Sequence, residues 1–306
     1  MSWRVVLISS CAKLDYKLDY LVVRSFDDIR RIHISEISVL IIESTAVSLT
    51  SYLLCELIRH KVKIIFCNHE RNPCSELLPC YGSHDASSRL RQQIQWSQTA
   101  RQEIWTEIIR RKIYNQSALL AYRKLPQYTL LEKYINELQP GDATNREGHA
   151  AKVYFNALWG KDFSRSQDNY INAALNYGYS LLLSAINREI TAAGYSTQLG
   201  INHNNTFNHF NLSCDFIEPL RPLVDAAVTE ISEPKFEHEE KMQLAALLNS
   251  QVIIDGRLQY LLYALRLYCI SLLNALQNEN IKEIKWIEYP CKTKESGIQE
   301  DILQDN

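Results

Sequence analysis

Hydrophobic residues in the first 80 positions gather in short runs that are separated by polar residues. Each run is rich in Val, Ile and Leu, a composition that favours β-strands. The runs are RVVLIS (4–9), YLVVRS (20–25), VLIIES (39–44) and KIIFCN (63–68). Between the last two, apolar residues follow a helical spacing, at Leu49, Leu53, Leu54 and Leu57. The pattern predicts a small β-rich domain with one helix over residues 1–80.

From residue 89 onward, apolar residues recur three or four positions apart almost to residue 290, which indicates helices. The main stretches span 94–125, 147–159, 171–194 and 255–277. Residues 81–88 are small and polar, as in a linker or a helix entry, and residues 291–306 form a polar tail. The pattern is that of an α+β protein, in which a small N-terminal β-rich domain precedes a larger all-helical domain over residues 89–290.

The composition is that of an ordinary globular protein, with 46% apolar and 22% charged residues. No apolar run approaches the roughly 18 residues that a membrane span needs. The N-terminal segment lacks the long apolar core and cleavage site of a secretory signal, so we expect a cytoplasmic protein without membrane association. The eight cysteines show no CxxC pairing, which argues against a structural zinc site.

Positive charge is concentrated in residues 89–124, although the whole chain carries a net charge of −2. Eight basic and two acidic residues give this segment a net charge of +6. One interpretation is a solvated amphipathic helix, and the other is a basic helix face that follows a phosphate backbone. On the second interpretation, the candidate DNA contacts are Arg89, Arg91, Arg110, Arg111 and Lys112.

Glu147 lies at the predicted start of a helix, three residues after Thr144. This T-x-x-E spacing is typical of a capping box, in which the glutamate accepts a hydrogen bond from the backbone N–H of the cap residue. A glutamate in the first turn also interacts favourably with the helix dipole. The same position can direct a carboxylate into a cleft, so both roles remain open for Glu147.

A second polar segment combines a histidine with two carboxylates. His203 lies in an asparagine-rich loop, whereas Asp215 and Glu218 are three residues apart and share a face if the segment is helical. Pro219 disfavours helical geometry at Glu218, which predicts a helix start or a kink there. Two neighbouring carboxylates need a compensating cation, which Arg221 could provide as an ordinary salt bridge.

One histidine with two glutamates gives a mixed nitrogen and oxygen donor set that suits Mg²⁺ or Mn²⁺ better than a structural zinc site. Phosphoryl transfer on DNA requires such an ion, because the ion neutralises phosphate oxygens and activates the attacking hydroxyl. Together with the basic segment, this set indicates a DNA-processing enzyme. The alternatives are a metal-dependent phosphoesterase for small substrates and a non-catalytic DNA-binding scaffold.

Several long motifs occur in a fixed order along nearly the whole chain. They are EGHAAKVYF (147–155), INAALNYGY (171–179), LGINH (199–203) and FNLSCDFIEPLRP (210–222), with RLRQQI (89–94), NQ (115–116) and VIIDGR (252–257). In this combination the chain resembles the CRISPR-associated adaptation integrases, the first-numbered Cas proteins. The DFIEPLRP form and the fifteen-residue spacing from His203 to Glu218 are most similar to the type II-A branch of that family.

The resemblance implies that Glu147, His203 and Glu218 are catalytic ligands of Mg²⁺ or Mn²⁺, with Asp215 as an acidic residue beside the metal. It also implies a homodimer formed through the β-rich domain, and two such dimers flanking a small second adaptation subunit in a heterohexamer. This assembly would capture double-stranded protospacer DNA and join its 3′-OH ends to the CRISPR repeat by transesterification. In type II-A systems an RNA-guided effector nuclease and a ring-forming adaptation protein also take part.

Overall fold

The computed structural model describes residues 4–26, 28–77, 83–231 and 234–288. The N-terminal part is built from two sheets and a helix. Its elements are β1 (Arg4–Ile8), β2 (Ala12–Lys17), β3 (Tyr20–Arg24), β4 (Ile29–His33), β5 (Ile37–Ile42), β6 (Val47–Leu49), α1 (Ser51–Arg59), β7 (Lys63–Cys67) and β8 (Pro73–Leu77).

The central sheet has the order β1-β5-β7-β8, in which β1, β5 and β7 are parallel and β8 is antiparallel to β7. All six residues of β5 are buried, because this sheet is covered on both faces. Leu40 and Ile42 pack in the core of the N-terminal part, whereas Val39 and Ile41 pack with the helical part. The second sheet has the order β4-β3-β2-β6. The central sheet therefore connects the two parts of the chain through a shared apolar interface.

The second part is mainly helical. Its elements are α2 (Ala86–Ile94), α3 (Gln98–Tyr122), α4 (Tyr128–Asn136), α5 (Arg146–Trp159), α6 (Tyr170–Ala192), α7 (Asn211–Ile217), α8 (Arg221–Thr229), α9 (His238–Ala246), β9 (Gln251–Ile254), β10 (Arg257–Tyr260), α10 (Leu261–Asn278) and β11 (Ile287–Glu288). Fully buried Ile108, Leu182 and Leu265 show that α3, α6 and α10 share one core. Tyr154 of α5 and Phe216 of α7 belong to the same core, which fixes the elements that carry the site.

The four predicted strands are confirmed, each to within two residues at its ends, and the predicted helix is confirmed as α1, although Leu49 belongs to β6. The hydrophobic pattern does not reveal β2, β4, β6 or β8. In β4 the first three residues are exposed, including Arg30 and Arg31, so the strand lacks an apolar run. It forms because its backbone pairs with β3, which is a tertiary contact.

The expectation of an all-helical second part needs correction, because β9, β10 and β11 form a small sheet of order β10-β9-β11. The stretch over 255–277 begins with Asp255 and Gly256, which form the turn of a hairpin between β9 and β10. Asp255 and Gly256 adopt positive φ angles of 56° and 70°, a conformation typical of tight hairpin turns. Helix α10 consequently begins only at Leu261.

The predicted linker is partly helical, since residues 86–88 already belong to α2. Residues 81–82 and the predicted tail at 291–306 lie outside the described residues. None of the helices in the described ranges combines the length and the apolar composition needed to cross a membrane.

Candidate metal centre

Lys112 joins the two glutamates that the sequence singles out. Its nitrogen Nζ lies 2.5 Å from Glu147 Oε1 and 2.5 Å from Glu218 Oε2. The three side chains come from α3, from the first turn of α5 and from the junction of α7 and α8. Burial by itself would lower the pKa of Lys112, but the two carboxylates outweigh it and raise the pKa above its ordinary value. A buried cation therefore sits between the two carboxylates.

Glu147 takes no part in a capping box, which corrects one of the two roles considered for it. The side chain of Asn145 accepts a hydrogen bond from the third N–H of helix α5 over 3.3 Å. The carboxylate of Asp142 accepts from the first two N–H groups over 2.7 and 3.1 Å. The hydroxyl of Thr144 is buried without a hydrogen-bond partner. Because other residues satisfy the helix start, the carboxylate of Glu147 is available to the site.

Glu218 begins a 3-10 turn (Glu218–Leu220) between α7 and α8, so the predicted interruption at Pro219 is present. Glu218 itself nevertheless keeps helical angles, with φ −51° and ψ −47°. The residue is 3% exposed. Arg221 Nε donates to Glu218 Oε1 over 3.0 Å, and Lys112 contacts the other oxygen. Burial would raise the pKa of Glu218, but the two cations outweigh it and lower the pKa to about 2. The carboxylate is thereby kept charged in a buried position.

His203 is held in place by Asp215, which is fully buried. The Asp215 carboxylate accepts hydrogen bonds of 2.5, 3.2 and 3.0 Å from the backbone N–H groups of Ile201, Asn202 and His203. Its Oδ1 also lies 2.7 Å from His203 Nδ1, and this hydrogen bond raises the pKa of His203. A Cβ on Gly200 would collide with the His203 carbonyl and the Asp215 carboxylate. Asp215 thus fixes the orientation of the His203 imidazole through the contact with Nδ1.

Most of the basic residues predicted to contact DNA are engaged within the chain. Arg89 pairs with an aspartate at 2.9 Å, and Arg110 pairs with a glutamate at 3.1 Å. The guanidinium of Arg111 lies 5.0 Å from the centroid of a tyrosine ring. Lys112 is buried on the apolar face of α3, where its ammonium group contacts Glu147 and Glu218. Arg91 is exposed on α2.

The donor types suit a divalent ion, but the three predicted ligands are not assembled around one point. Two carboxylates converge on one cation position, at present that of the Lys112 ammonium, and His203 is oriented nearby by its hydrogen bond. Carboxylate and imidazole donors suit Mg²⁺ or Mn²⁺. Within the described part of the chain, no three His, Cys, Asp or Glu side chains are grouped closely enough to hold an ion. The lysine takes the central position instead.

A cavity of about 430 Å³ adjoins His203. Arg101, Gln102 and Trp105 of α3 line one side of it, and residues 199–204 line the other. Nε of Arg101 is buried and makes no hydrogen bond. The cavity therefore places Arg101 and other polar residues beside His203, while Glu147, Glu218 and Lys112 are not among its lining residues.

Known proteins resemble this chain over nearly all of its length. A family model described as CRISPR associated protein Cas1 matches residues 5–252. The CRISPR-associated endonuclease Cas1 of Neisseria meningitidis serogroup C (strain 8013) is 32% identical over 297 residues, which cover 93% of this chain and 96% of that protein.

Solved structures share the fold. A casposase bound to an integration product has a TM-score of 0.74 at 20% identity and covers 99% of this chain and 97% of its own. A chain of a Cas6-RT-Cas1–Cas2 complex has a TM-score of 0.69 at 17% identity, over 92% of this chain and 36% of that one. At this level of identity the likeness concerns the fold alone, and it confirms the order of a β-rich part followed by a helical part.

Proposed function

The chain belongs to the family of the CRISPR-associated protein Cas1, and from this premise we propose that it is a metal-dependent DNA integrase and endonuclease. The proposed reaction joins the 3′-OH ends of captured DNA to the repeat of a CRISPR array by transesterification. Family membership supports the general activity, which is that of an endonuclease or integrase of CRISPR adaptation. The candidate metal centre supports the chemical details.

The observation that carries the proposal is the convergence of Glu147 and Glu218 on one cation position, 2.5 Å from each carboxylate. Buried carboxylates repel each other strongly unless a cation compensates their charge. Glu218 does form the ordinary salt bridge to Arg221 that a scaffold would need. Asp215, however, forms its side-chain hydrogen bond with His203 and not with Arg221. A salt bridge to Arg221 therefore accounts for Glu218 but not for Asp215.

When bound, Mg²⁺ or Mn²⁺ would neutralise phosphate oxygens and help to activate the attacking hydroxyl. Glu147 and Glu218 would contribute oxygen ligands, and His203 would contribute Nε2. Asp215 keeps the imidazole proton on Nδ1, while Arg221 keeps Glu218 ionised. No nucleophilic side chain is needed: the 3′-OH of the incoming strand attacks the phosphorus atom, and the 3′-oxygen of the cleaved repeat strand leaves.

The proposed substrate is double-stranded DNA, as protospacer and as repeat. The cavity beside His203 is large enough for a nucleotide that flanks the scissile phosphate, and Arg101 would provide a donor to its phosphate. A net charge of −2 favours DNA binding that is confined to such a local site and is sensitive to salt.

The proposed function also implies which molecules the chain binds. One structural neighbour is bound to an integration product and another belongs to a Cas1–Cas2 complex, which supports DNA and a small second adaptation subunit as partners here. We propose a homodimer through the β-rich part and a heterohexamer with that subunit. Association with an RNA-guided effector nuclease and a ring-forming adaptation protein would follow if the chain is of type II-A.

A strand-transfer assay tests the proposed function. The chain and its second subunit are incubated with Mn²⁺, a short duplex with 3′-OH ends and a supercoiled plasmid that carries the repeat. We expect wild-type protein to join the duplex to the plasmid, and His203→Ala to lose at least about 100-fold in rate. His209→Ala is the matched control, because His209 is exposed in the same loop.

The same assay decides between the alternatives. Full strand transfer by His203→Ala would show that the site is assigned wrongly. Hydrolysis of small phosphoesters without any joining of DNA ends would favour a phosphoesterase. DNA binding without any cleavage or joining would favour a scaffold.

A further inference from the structure

Lys112 occupies the position on which the two glutamates converge. Its ammonium group contacts Glu147 Oε1 and Glu218 Oε2 at 2.5 Å each, and its side chain is 8% exposed. We infer that Lys112 is an internal placeholder cation that a divalent ion must displace before the centre is loaded. The inference rests on the proposed function, because it requires that Glu147 and Glu218 are metal ligands.

The lysine and the ion cannot share this position. A carboxylate oxygen binds Mg²⁺ at about 2.0–2.1 Å, which would place the ion within the space that the ammonium group fills. Two cations so close together in a buried site would also repel each other strongly. Arg221 is a different case, since it contacts Glu218 Oε1 while Lys112 contacts Oε2. Displacement of Lys112 alone therefore opens the centre.

The side chain is suited to such a role. Lysine carries its charge on a flexible four-carbon stem, so its ammonium can swing away while α3 stays in place. In the metal-free chain it offsets the repulsion between the carboxylates and keeps them close together. The cost is competition: the apparent affinity for the ion equals the intrinsic affinity multiplied by the fraction of molecules in which the site is open.

Direct measurement of Mn²⁺ binding without DNA tests this inference. Electron paramagnetic resonance follows free Mn²⁺ during titration of the intact chain, as wild type and as Lys112→Met. If Lys112 fills the site in nine molecules of ten, the substitution lowers the dissociation constant about tenfold. Lys152→Met is the matched control: it removes the same charge from an exposed position five residues after Glu147 on α5, and its binding should equal that of wild type.

The outcomes separate this inference from the proposed function. If Lys112→Met binds Mn²⁺ no more tightly than wild type, while Glu147→Gln abolishes binding, the placeholder role is overturned and the metal centre stands. If Glu147→Gln and Glu218→Gln bind Mn²⁺ as well as wild type does, the metal centre itself is overturned, and the placeholder role falls with it.

A second measurement needs no variant. Acetic anhydride acetylates exposed lysines, and mass spectrometry of peptides assigns each modified residue. We expect the acetylation rate of Lys112 to increase several-fold when Mg²⁺ is added, because the displaced ammonium gains access to solvent. Lys63 is the internal control, since it is also buried and pairs with Glu76 in the N-terminal part. An unchanged rate at Lys112 under Mg²⁺ concentrations that support strand transfer would overturn the placeholder role.

Discussion

Asp215 Oδ1 lies 2.7 Å from His203 Nδ1, and this contact determines which ring nitrogen of the histidine can bind a metal. The carboxylate only accepts hydrogen bonds, so in the neutral imidazole the proton resides on Nδ1 and Nε2 carries the lone pair. The same carboxylate gathers three backbone N–H groups of the loop that holds His203. Asp215 thus fixes both the conformation of the loop at residues 201–203 and the orientation of the His203 imidazole.

Asp215→Asn is expected to lower the strand-transfer rate by about 10- to 100-fold. The amide keeps one acceptor oxygen and replaces the other with an NH2 donor, so it cannot satisfy both His203 and the backbone N–H groups. The Mn²⁺ concentration at half-maximal rate should rise as well, which a purely structural defect would not require. Asp168→Asn, at an exposed position before α6, serves as the control. Unchanged rates and metal dependence in Asp215→Asn would show that Asp215 does not position the ligand.

Asp142→Ala and Glu147→Gln are expected to have opposite effects. Asp142 accepts from the first two N–H groups of α5, so its removal should lower the free energy of unfolding by about 1 kcal/mol while strand transfer persists. Glu147→Gln should abolish strand transfer while stability changes by less than about 1 kcal/mol. Chemical denaturation and the strand-transfer assay measure the two properties. The reverse pattern would restore the capping role of Glu147.

Arg221→Lys is expected to reduce strand transfer by about 10- to 100-fold, since Glu218 would lose the hydrogen bond from Arg221 Nε that positions its carboxylate. The guanidinium lies 4.7 Å from the centroid of the Tyr179 ring while it donates to Glu218. A lysine cannot reproduce this flat, stacked arrangement. Arg123→Lys is the control, because Arg123 pairs with exposed Glu230 at the surface. Equal activity of both variants would contradict a positioning role for Arg221.

Asp225 is expected to make the protein less stable as the pH rises from about 4 to about 6. Burial raises the pKa of Asp225 from 3.8 to about 6, although Tyr154 and Tyr179 donate hydrogen bonds to it. Its folded-state pKa exceeds the unfolded value, so the carboxyl favours folding below about pH 4 and loses that contribution as it ionises.

The check is the free energy of unfolding of wild type minus that of Asp225→Asn, measured across this pH range. The difference should decline by up to a few kcal/mol between about pH 4 and pH 6. A flat difference would mean that Asp225 is ionised in the folded protein at the lower pH already.

The sequence predicts those parts of the fold in which local pattern and tertiary environment agree. Strands β1, β3, β5 and β7 are apolar enough to stand out, and β5 is buried along its whole length. Strand β4 and the hairpin at Asp255 and Gly256 are not predicted. The strand depends on pairing with β3. The hairpin is missed because its Asp-Gly turn, a local signal in itself, stands at the start of a stretch whose apolar spacing indicates a helix.

The candidate site, like the fold, is predicted only in part from the sequence. Glu147, His203 and Glu218 are proposed from motif spacing and family resemblance, but their partners come from distant parts of the chain. Lys112 is 35 residues from Glu147 and 106 residues from Glu218. The sequence does contain a signal that Lys112 is buried. The residue lies four positions after Ile108 and four before Gln116, both of which are buried on the same face of α3. That spacing marks a buried lysine, although it does not identify the carboxylates that pair with it.

Anomalous electron density from crystals grown with Mn²⁺ tests the central claim most directly. We predict one strong peak whose protein ligands are carboxylate oxygens of Glu147 and Glu218 and Nε2 of His203, with the Lys112 ammonium moved out of the position it holds now. A Mn²⁺ peak coordinated by other residues, or bound to His203 through Nδ1, would contradict this account of the site.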